Sequence, residues 1–186
     1  MESGPEEKKK KKKRGRGKDT LFRIASRNQI ELIAIADQKS NLIIGICVVL
    51  ISLLLALLGS GLHFRGNAIM MNPDLMVPLV ILLLFLLAAA IFAILAAKPQ
   101  IIKGRPGNVH SLLFFQNIYA KSQEEYLREM HAMVDDDRLV FDQLIVDMYY
   151  NGIVLHTKYR LLNAAYVIFV VGLVLSVAVF AVTNLV

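Results

Sequence analysis

The side chains most capable of chemistry lie where long apolar segments meet polar sequence. Polar or charged residues border all three of these segments: Asp37, Lys39, Asn41, Lys98, Lys158 and Arg160. If the segments pack as helices, these groups form one layer at a membrane surface, where they could anchor the helices or bind an anion. Asp37 is the unusual member, because acidic groups are not favoured at an anionic inner leaflet. We therefore expect Lys158 or Arg160 to pair with it.

Other kinds of site have little support in the sequence. His131 and Asp135 have the i, i+4 spacing of metal ligands, but no third ligand is nearby, so a surface pair is favoured over a metal site. The chain lacks a phosphate-binding glycine loop, a nucleophile elbow and a His-Asp doublet. We therefore expect no metal, no cofactor and no enzymatic activity.

Three apolar runs must position the polar layer. Residues 42–58, 75–97 and 161–182 each reach the roughly 17 to 25 residues that cross a ~30 Å hydrocarbon core. None contains Asp, Glu, Lys or Arg, which argues against a transporter or channel. The predicted fold is an all-α membrane protein with three transmembrane helices, at about 42–60, 75–97 and 161–183. Its cytoplasmic helical region, 98–160, is expected to be continuous with the first and third spans.

Positive charge is unevenly distributed along the chain. Of 21 Lys and Arg residues, twelve precede the first run, eight lie in 98–160, and one lies between the first two runs. The positive-inside rule therefore predicts a cytoplasmic N-terminus and middle region, with the C-terminus outside. Residues 1–19 are expected to be a disordered basic tail, either an orientation signal or a segment attracted to anionic lipid. Nucleic acid is not an expected partner, since no aromatic residue is interleaved to stack bases.

Two helices are predicted in the middle region. Ser122 and Glu125 form a capping box that begins a helix ending near Val134, and the aspartates at 135–137 supply the next N-cap. The second helix continues into the third span, because one stripe recurs every three or four residues for about five heptads. Its members are Ile145, Met148, Gly152, Leu155, Tyr159, Leu162, Tyr166, Phe169, Leu173, Ser176 and Phe180. We expect this stripe to be a packing seam, and Gly152 to allow a close approach of another helix.

A series of short motifs borders the three runs. They are Arg27-Asn28-Gln29, Ile35-Ala36-Asp37-Gln38-Lys39-Ser40-Asn41, Lys98-Pro99, Gly107-Asn108, Leu112-Leu113-Phe114-Phe115, Tyr149-Tyr150-Asn151-Gly152 and Lys158-Tyr159-Arg160-Leu161-Leu162. In this order, and at these positions relative to the spans, they resemble the membrane effectors of Pycsar antiphage systems, over about residues 22–182. Lys98-Pro99 stands where the family pattern has Arg-Pro.

The resemblance implies a bacterial inner-membrane protein that is encoded beside a pyrimidine cyclase. In such a system the cyclase makes 3′,5′-cyclic UMP or CMP on phage infection. The effector senses that signal and impairs the membrane, so that the cell dies before the phage matures. The partners that follow are the lipid bilayer, the cyclic mononucleotide and further copies of the chain.

A cyclic mononucleotide carries one phosphate charge, a ribose and a base. Four basic groups could meet the phosphate: Arg27, Lys39, Lys158 and Arg160. Four polar side chains could hydrogen-bond the base or ribose: Asn28, Asp37, Asn41 and Asn108. The family pattern does not locate a pocket, so these eight residues follow from the polar layer alone. A second interpretation stays open, in which the chain is a non-enzymatic membrane scaffold that oligomerises through its long C-terminal helix.

Overall fold

The computed structural model describes the backbone of residues 5–60, 63–64, 67–68, 73–99, 112, 118 and 121–185, and the side chains of residues 17–60, 74–99, 112, 118 and 121–183. Its helices are α1 (Pro5–Gly59), α2 (Pro73–Ala97), α3 (Gln123–Val134) and α4 (Asp137–Leu185). A small antiparallel pair, β1 (His63–Phe64) and β2 (Asn67–Ala68), lies between α1 and α2, with His63 opposite Ala68. The predicted all-α fold is confirmed, with this two-residue ladder added to it.

Three of these helices are long and apolar enough to cross a membrane. The apolar segments fall within Gly17–Gly59, Asp74–Ala97 and Asp137–Thr183. Large apolar side chains such as Val49, Leu84 and Val177 are exposed on them, as expected of surfaces that contact lipid. The predicted multi-pass membrane protein is confirmed.

The N-terminal region differs from its prediction. Helix α1 begins at Pro5, so most of the basic segment that we expected to be disordered belongs to this helix. Lysine and arginine are good helix formers, and proline suits a first helical position. Extending an existing helix also avoids the unfavourable nucleation step.

The predicted helix boundaries in the middle region are confirmed. The Ser122 side chain accepts a hydrogen bond from the Glu125 N–H at 3.2 Å, and α3 then ends at Val134. The Asp136 carboxylate accepts from the Arg138 N–H at 2.9 Å, which caps the start of α4. Helix α4 then continues as one 49-residue helix.

The chain forms two compact units. The head unit comprises Met1–Ile33 and Gln100–Leu155, and the membrane unit comprises Ala34–Pro99 and His156–Val186. Helices α1 and α4 each contribute residues to both units, whereas α2 belongs to the membrane unit and α3 to the head unit. The predicted continuity of the polar helical region with the first and third spans is therefore confirmed.

The head unit buries few apolar side chains. Among its described residues, Met133 and Leu112 are the buried ones. Specific hydrogen bonds align its helices instead: Gln29 Nε2 donates to Met148 O at 3.1 Å, and the Leu112 N–H donates to Gln143 Oε1 at 3.0 Å. Gln29 Oε1 is buried and has no partner among the described residues. The hydrogen bond from Gln29 to Met148 thus joins α1 to α4 in this unit.

The core of the membrane unit consists mainly of small side chains. Its buried members include Ala36, Ser40, Ile43, Cys47, Leu54, Leu86, Ala89, Ala93, Ala96, Leu162, Ala165 and Ser176. Lipid is as apolar as leucine, so spans associate through van der Waals packing, and small residues let their backbones approach closely. Ser40 Oγ donates to Ala36 O at 2.8 Å, which satisfies that hydroxyl inside the core.

The predicted packing seam of α4 is confirmed in part, because Tyr159 and Phe169 pack against the membrane core. Leu162 and Ser176 are buried as predicted, but the residues buried between them are Ala165 and Gly172. Tyr166, a member of the predicted stripe, is 38% exposed. The predicted stripe omits Ala165 and Gly172 because apolar periodicity marks the buried face only in water. In lipid, large apolar side chains can face outward at little cost, and small residues mark the interface.

A close helix approach occurs at Gly172 and not at Gly152. A Cβ added at Gly172 would collide with Phe85 Cβ and lie 2.7 Å from Phe85 Cγ. A Cβ added at Gly152 would lie 3.8 Å from Gln29 Nε2, which is ordinary van der Waals contact. The prediction that Gly152 permits a close approach is therefore wrong, and α4 packs directly against α2 at Gly172.

Hydroxyl groups of α4 contact the α2 backbone around Pro78. Proline has no N–H, so the Asp74 carbonyl four residues earlier lacks its usual intrahelical donor. Thr183 Oγ1 lies 3.1 Å from this carbonyl and 3.0 Å from Val179 O of its own helix, so its single proton is shared between them. Ser176 Oγ donates to Pro78 O at 2.9 Å. These contacts compensate for the proline and align α2 with α4.

Candidate functional site

A buried cation connects the three spans of the membrane unit. Lys158, on α4, is only 3% exposed. Its ammonium donates to the Asp37 carboxylate on α1 and to Ala96 O on α2 at 3.1 Å, and Ala97 O lies 3.5 Å away. We call Asp37, Lys158 and the carbonyls of Ala96 and Ala97 the helix clamp. The expected pairing of Asp37 with a basic residue is confirmed, and the partner is Lys158.

The end of α2 makes these carbonyls available to a cation. Helix α2 ends at Ala97, and Pro99 disfavours helical backbone at the residue before it. The Lys98 N–H still donates to Ile94 O at 2.9 Å, but the last carbonyls of any helix have no donor within it. They also form the negative end of the helix dipole, where a cation is stabilised. The Lys158 ammonium, with three N–H donors, suits this position.

The two charges of the clamp differ in exposure. The Lys158 side chain is 4% exposed, whereas the Asp37 side chain is 39% exposed. A buried ammonium without its counter-ion is strongly unfavourable, so the packing of Lys158 depends on Asp37. Because the carboxylate reaches the surface, a competing charge or a shift of α1 can act on it. The clamp is therefore a connection between three helices that can be weakened from one side.

The other predicted ligand residues do not belong to the clamp. Those that the structure describes are exposed in their own units: Arg27 and Asn28 in the head unit, and Lys39, Asn41 and Arg160 in the membrane unit. Asn41 lines a shallow groove on α1 together with Gly45 and Ile46. Asn108 lies outside the described residues. Within the membrane unit, the structure thus joins Asp37 to Lys158 and leaves the remaining three polar groups at the surface.

The head unit contains a groove of about 420 Å³ that is lined by one face of α1 and by Leu144 of α4. The α1 residues that line it are Asp19, Phe22, Arg23, Ser26, Arg27 and Ile30. They share a face because they recur every three or four positions. Arg27 was predicted as a ligand contact, whereas Arg23, Phe22 and Ser26 were not. The sequence does contain a signal for this groove, which is the i, i+4 pair of Arg23 and Arg27 with Phe22 beside it.

Aromatic rings and cations lie together at this groove. The rings of Phe22 and Phe141 have centroids 5.4 Å apart and are tilted by 39°, a favourable geometry for an aromatic pair. Lys18 Nζ lies 5.6 Å from the centroid of Phe141, within the range of a cation–π contact. Among the described residues, neither Arg23 nor Arg27 takes part in an ion pair. The groove therefore presents two guanidinium groups and the Asp19 carboxylate beside a phenyl ring that packs against Phe141.

Metal chemistry has no support in the part of the chain that the structure describes. There, no group of three or more His, Cys, Asp or Glu side chains is placed to hold an ion. His131 and Asp135 meet through the backbone, since the Asp135 N–H donates to His131 O at 3.1 Å. This contact belongs to the C-terminal end of α3.

The chain matches one known protein family. Residues 20–183 match the family PycTM, described as the Pycsar effector protein domain. The match includes the clamp residues, the groove residues from Phe22 onward and all three apolar helices. No curated protein and no solved structure was found to match the chain. Because the family match spans most of its length, this chain belongs to the Pycsar effector family of antiphage membrane proteins.

Proposed function

We propose that this chain senses a 3′,5′-cyclic pyrimidine mononucleotide, cyclic UMP or cyclic CMP, and in response impairs the bacterial inner membrane. Family membership supports the effector role, and the three apolar helices support action at a membrane. The helix clamp is the observation that carries the proposal. One buried ammonium holds three spans together and depends on a carboxylate that is partly exposed. The protein acts by changing helix packing and not by catalysis.

Helices α1 and α4 supply the route from signal to membrane. A ligand changes a conformational equilibrium only as far as it binds one arrangement better than another. Both helices contain residues of the head unit and of the membrane unit, and they carry Asp37 and Lys158 respectively. A ligand that favours a different packing of α1 and α4 would therefore weaken the clamp. Water would then hydrate the released ammonium between the spans, and ions would leak.

The contacts to the nucleotide are also part of the proposal. Arg27, an exposed cation of the head unit, suits the phosphate. Asn28, an exposed amide of the same unit, suits the base or ribose. Lys158 and Asp37 are joined in the clamp, so they would respond to the signal as a pair.

The orientation follows from the charge distribution. The basic residues concentrate before the first span and between the second and third, so we place the N-terminus and the head unit in the cytoplasm and the C-terminus outside. The head unit then faces the compartment in which a cyclase releases its product. The opposite orientation would place these basic residues outside the cell, which is unfavourable for membrane insertion.

Binding and leakage together test the proposed function. We expect the purified chain in detergent to bind cyclic UMP or cyclic CMP saturably, and the same nucleotide to release dye from vesicles that contain the protein. Linear UMP, cyclic AMP and cyclic GMP are the controls. A chain that is helical by circular dichroism but binds none of the cyclic nucleotides would contradict the proposal.

A scaffold function is favoured by one observation of its own. Ile145, Tyr149 and Ile153 form an exposed apolar stripe on the head-unit part of α4, at 53%, 66% and 41% exposure. Exposed apolar stripes on polar helices commonly mark association surfaces. A scaffold would self-associate through this stripe without nucleotide affinity and without leakage, so the same experiment separates the two functions.

A further inference from the structure

The groove of the head unit has the composition of a site for a phosphorylated ring compound. Arg23 and Arg27 provide two planar donors on one helix face, spaced i, i+4. Guanidinium groups bind phosphate oxygens through paired, charge-assisted hydrogen bonds. Both arginines are exposed, and neither is in an ion pair among the described residues. Their charge is therefore available to a ligand.

The groove also contains an aromatic ring and a carboxylate, groups that a phosphate alone would not require. Phe22 lines it, and its ring is held by its contact with Phe141. A fixed aromatic ring is a stacking surface for a nucleobase. Asp19 lines the same groove and can only accept hydrogen bonds when ionised, which suits the N–H of uracil or the amino group of cytosine. A carboxylate would disfavour a ligand that is only an anion.

We infer that this groove binds the mononucleotide, with the phosphate between Arg23 and Arg27, the base against Phe22, and Ser26 donating to the phosphate or ribose. The inference rests on the proposed function for the identity of the ligand as a cyclic pyrimidine nucleotide. The volume of about 420 Å³ accommodates one small molecule. Leu144 brings α4 to the same groove, so the ligand contacts both helices that continue as spans.

Substitution of the two arginines tests the site. In equilibrium dialysis of the full chain in detergent, we expect Arg23→Gln and Arg27→Gln each to weaken binding of cyclic UMP or cyclic CMP by roughly tenfold or more, because a charge-assisted hydrogen bond is lost. The double variant should lose measurable binding. Arg128→Gln removes an exposed arginine of α3 in the same unit and should bind like the wild type. Helix content by circular dichroism shows that each variant is folded.

The base contact is tested separately from the phosphate contact. We expect Phe22→Ala to weaken nucleotide binding by roughly tenfold. Competition by inorganic phosphate should be unchanged in this variant, because the arginines remain. Since Phe22 also packs on Phe141, a second measurement uses the wild-type chain: a photoreactive 5-iodo cyclic pyrimidine nucleotide should crosslink within residues 19–30 or at Leu144.

The outcomes separate this site from the proposed function. Wild-type binding that the arginine variants retain, or a crosslink elsewhere, would overturn the groove while the sensing function stands. A wild-type chain that binds no cyclic nucleotide would overturn both. If the double arginine variant loses affinity for phosphatidylglycerol in mixed detergent micelles but keeps its affinity for the cyclic nucleotide, the groove is a lipid headgroup site and the inference is wrong.

Discussion

Replacing Asp37 by asparagine is expected to destabilise the membrane unit by about 3 to 5 kcal/mol, because the buried Lys158 ammonium would lose its counter-ion. Lys158→Met should cost less, since the carboxylate that it leaves is 39% exposed and can be hydrated. The double variant, Asp37→Asn with Lys158→Met, should lose far less unfolding free energy than the sum of the two single losses. An apolar group can replace a buried ion pair at little or no cost when both charges are removed together.

A double-mutant cycle measures this coupling. The fraction folded would be followed by circular dichroism during titration of the detergent-solubilised chain with sodium dodecyl sulfate. Lys39→Met is the matched control, because Lys39 is an exposed lysine of the same unit. Additive effects of the two clamp substitutions would show that Asp37 and Lys158 act independently, and the clamp would then not be the connection between the spans.

The same substitution at two glycines of α4 should have opposite effects. Gly172→Ala is expected to destabilise the chain by about 1 to 3 kcal/mol or more, because the new Cβ collides with Phe85. Gly152→Ala should stabilise it by up to about 1 kcal/mol, since the added methyl group meets nothing closer than 3.8 Å and alanine is the better helix former.

Phe85 provides the internal check on this prediction. The atoms that the new Cβ would meet are Phe85 Cβ, Cγ and Cδ1. Phe85→Gly removes all three, so it should reduce the additional cost of Gly172→Ala when the two are combined. Sodium dodecyl sulfate titrations of the wild type, the two single variants and the double variant would measure the change in the free energy of unfolding. If Gly172→Ala proves as harmless as Gly152→Ala, then α2 and α4 are not in direct backbone contact there.

Much of the fold could be predicted from the sequence because the features concerned are local or set by solvent. The length of a charge-free apolar run decides whether it can span a membrane, and all three runs lie in helices that are long and apolar enough to do so. The Ser122 cap depends only on groups within one turn. The pairing of Asp37 could be predicted as well, because an acidic group at that depth requires a nearby cation.

The buried faces of the spans could be predicted only in part from apolar periodicity. Tyr166 and Ala165 are both apolar enough for lipid, so their hydrophobicity does not say which of them is buried. The fit of Gly172 against Phe85 is a property of two helices distant in sequence. The groove could not be predicted for a related reason. In the sequence, Arg23 and Arg27 are only part of a basic region, and the groove forms because Leu144 and Phe141 of α4 lie beside this face of α1.

Under the proposed function, the burial of Cys47 provides an internal reporter of activation. It is the single cysteine of the chain, and its thiol is fully enclosed by the small residues of the membrane core. Thiol-directed maleimides react with the thiolate, which requires water as well as access. Alkylation of Cys47 would therefore be slow in the resting state and would accelerate only when the spans separate and water enters. The rate of labelling would time the moment at which the membrane barrier fails, with no engineered probe in the protein.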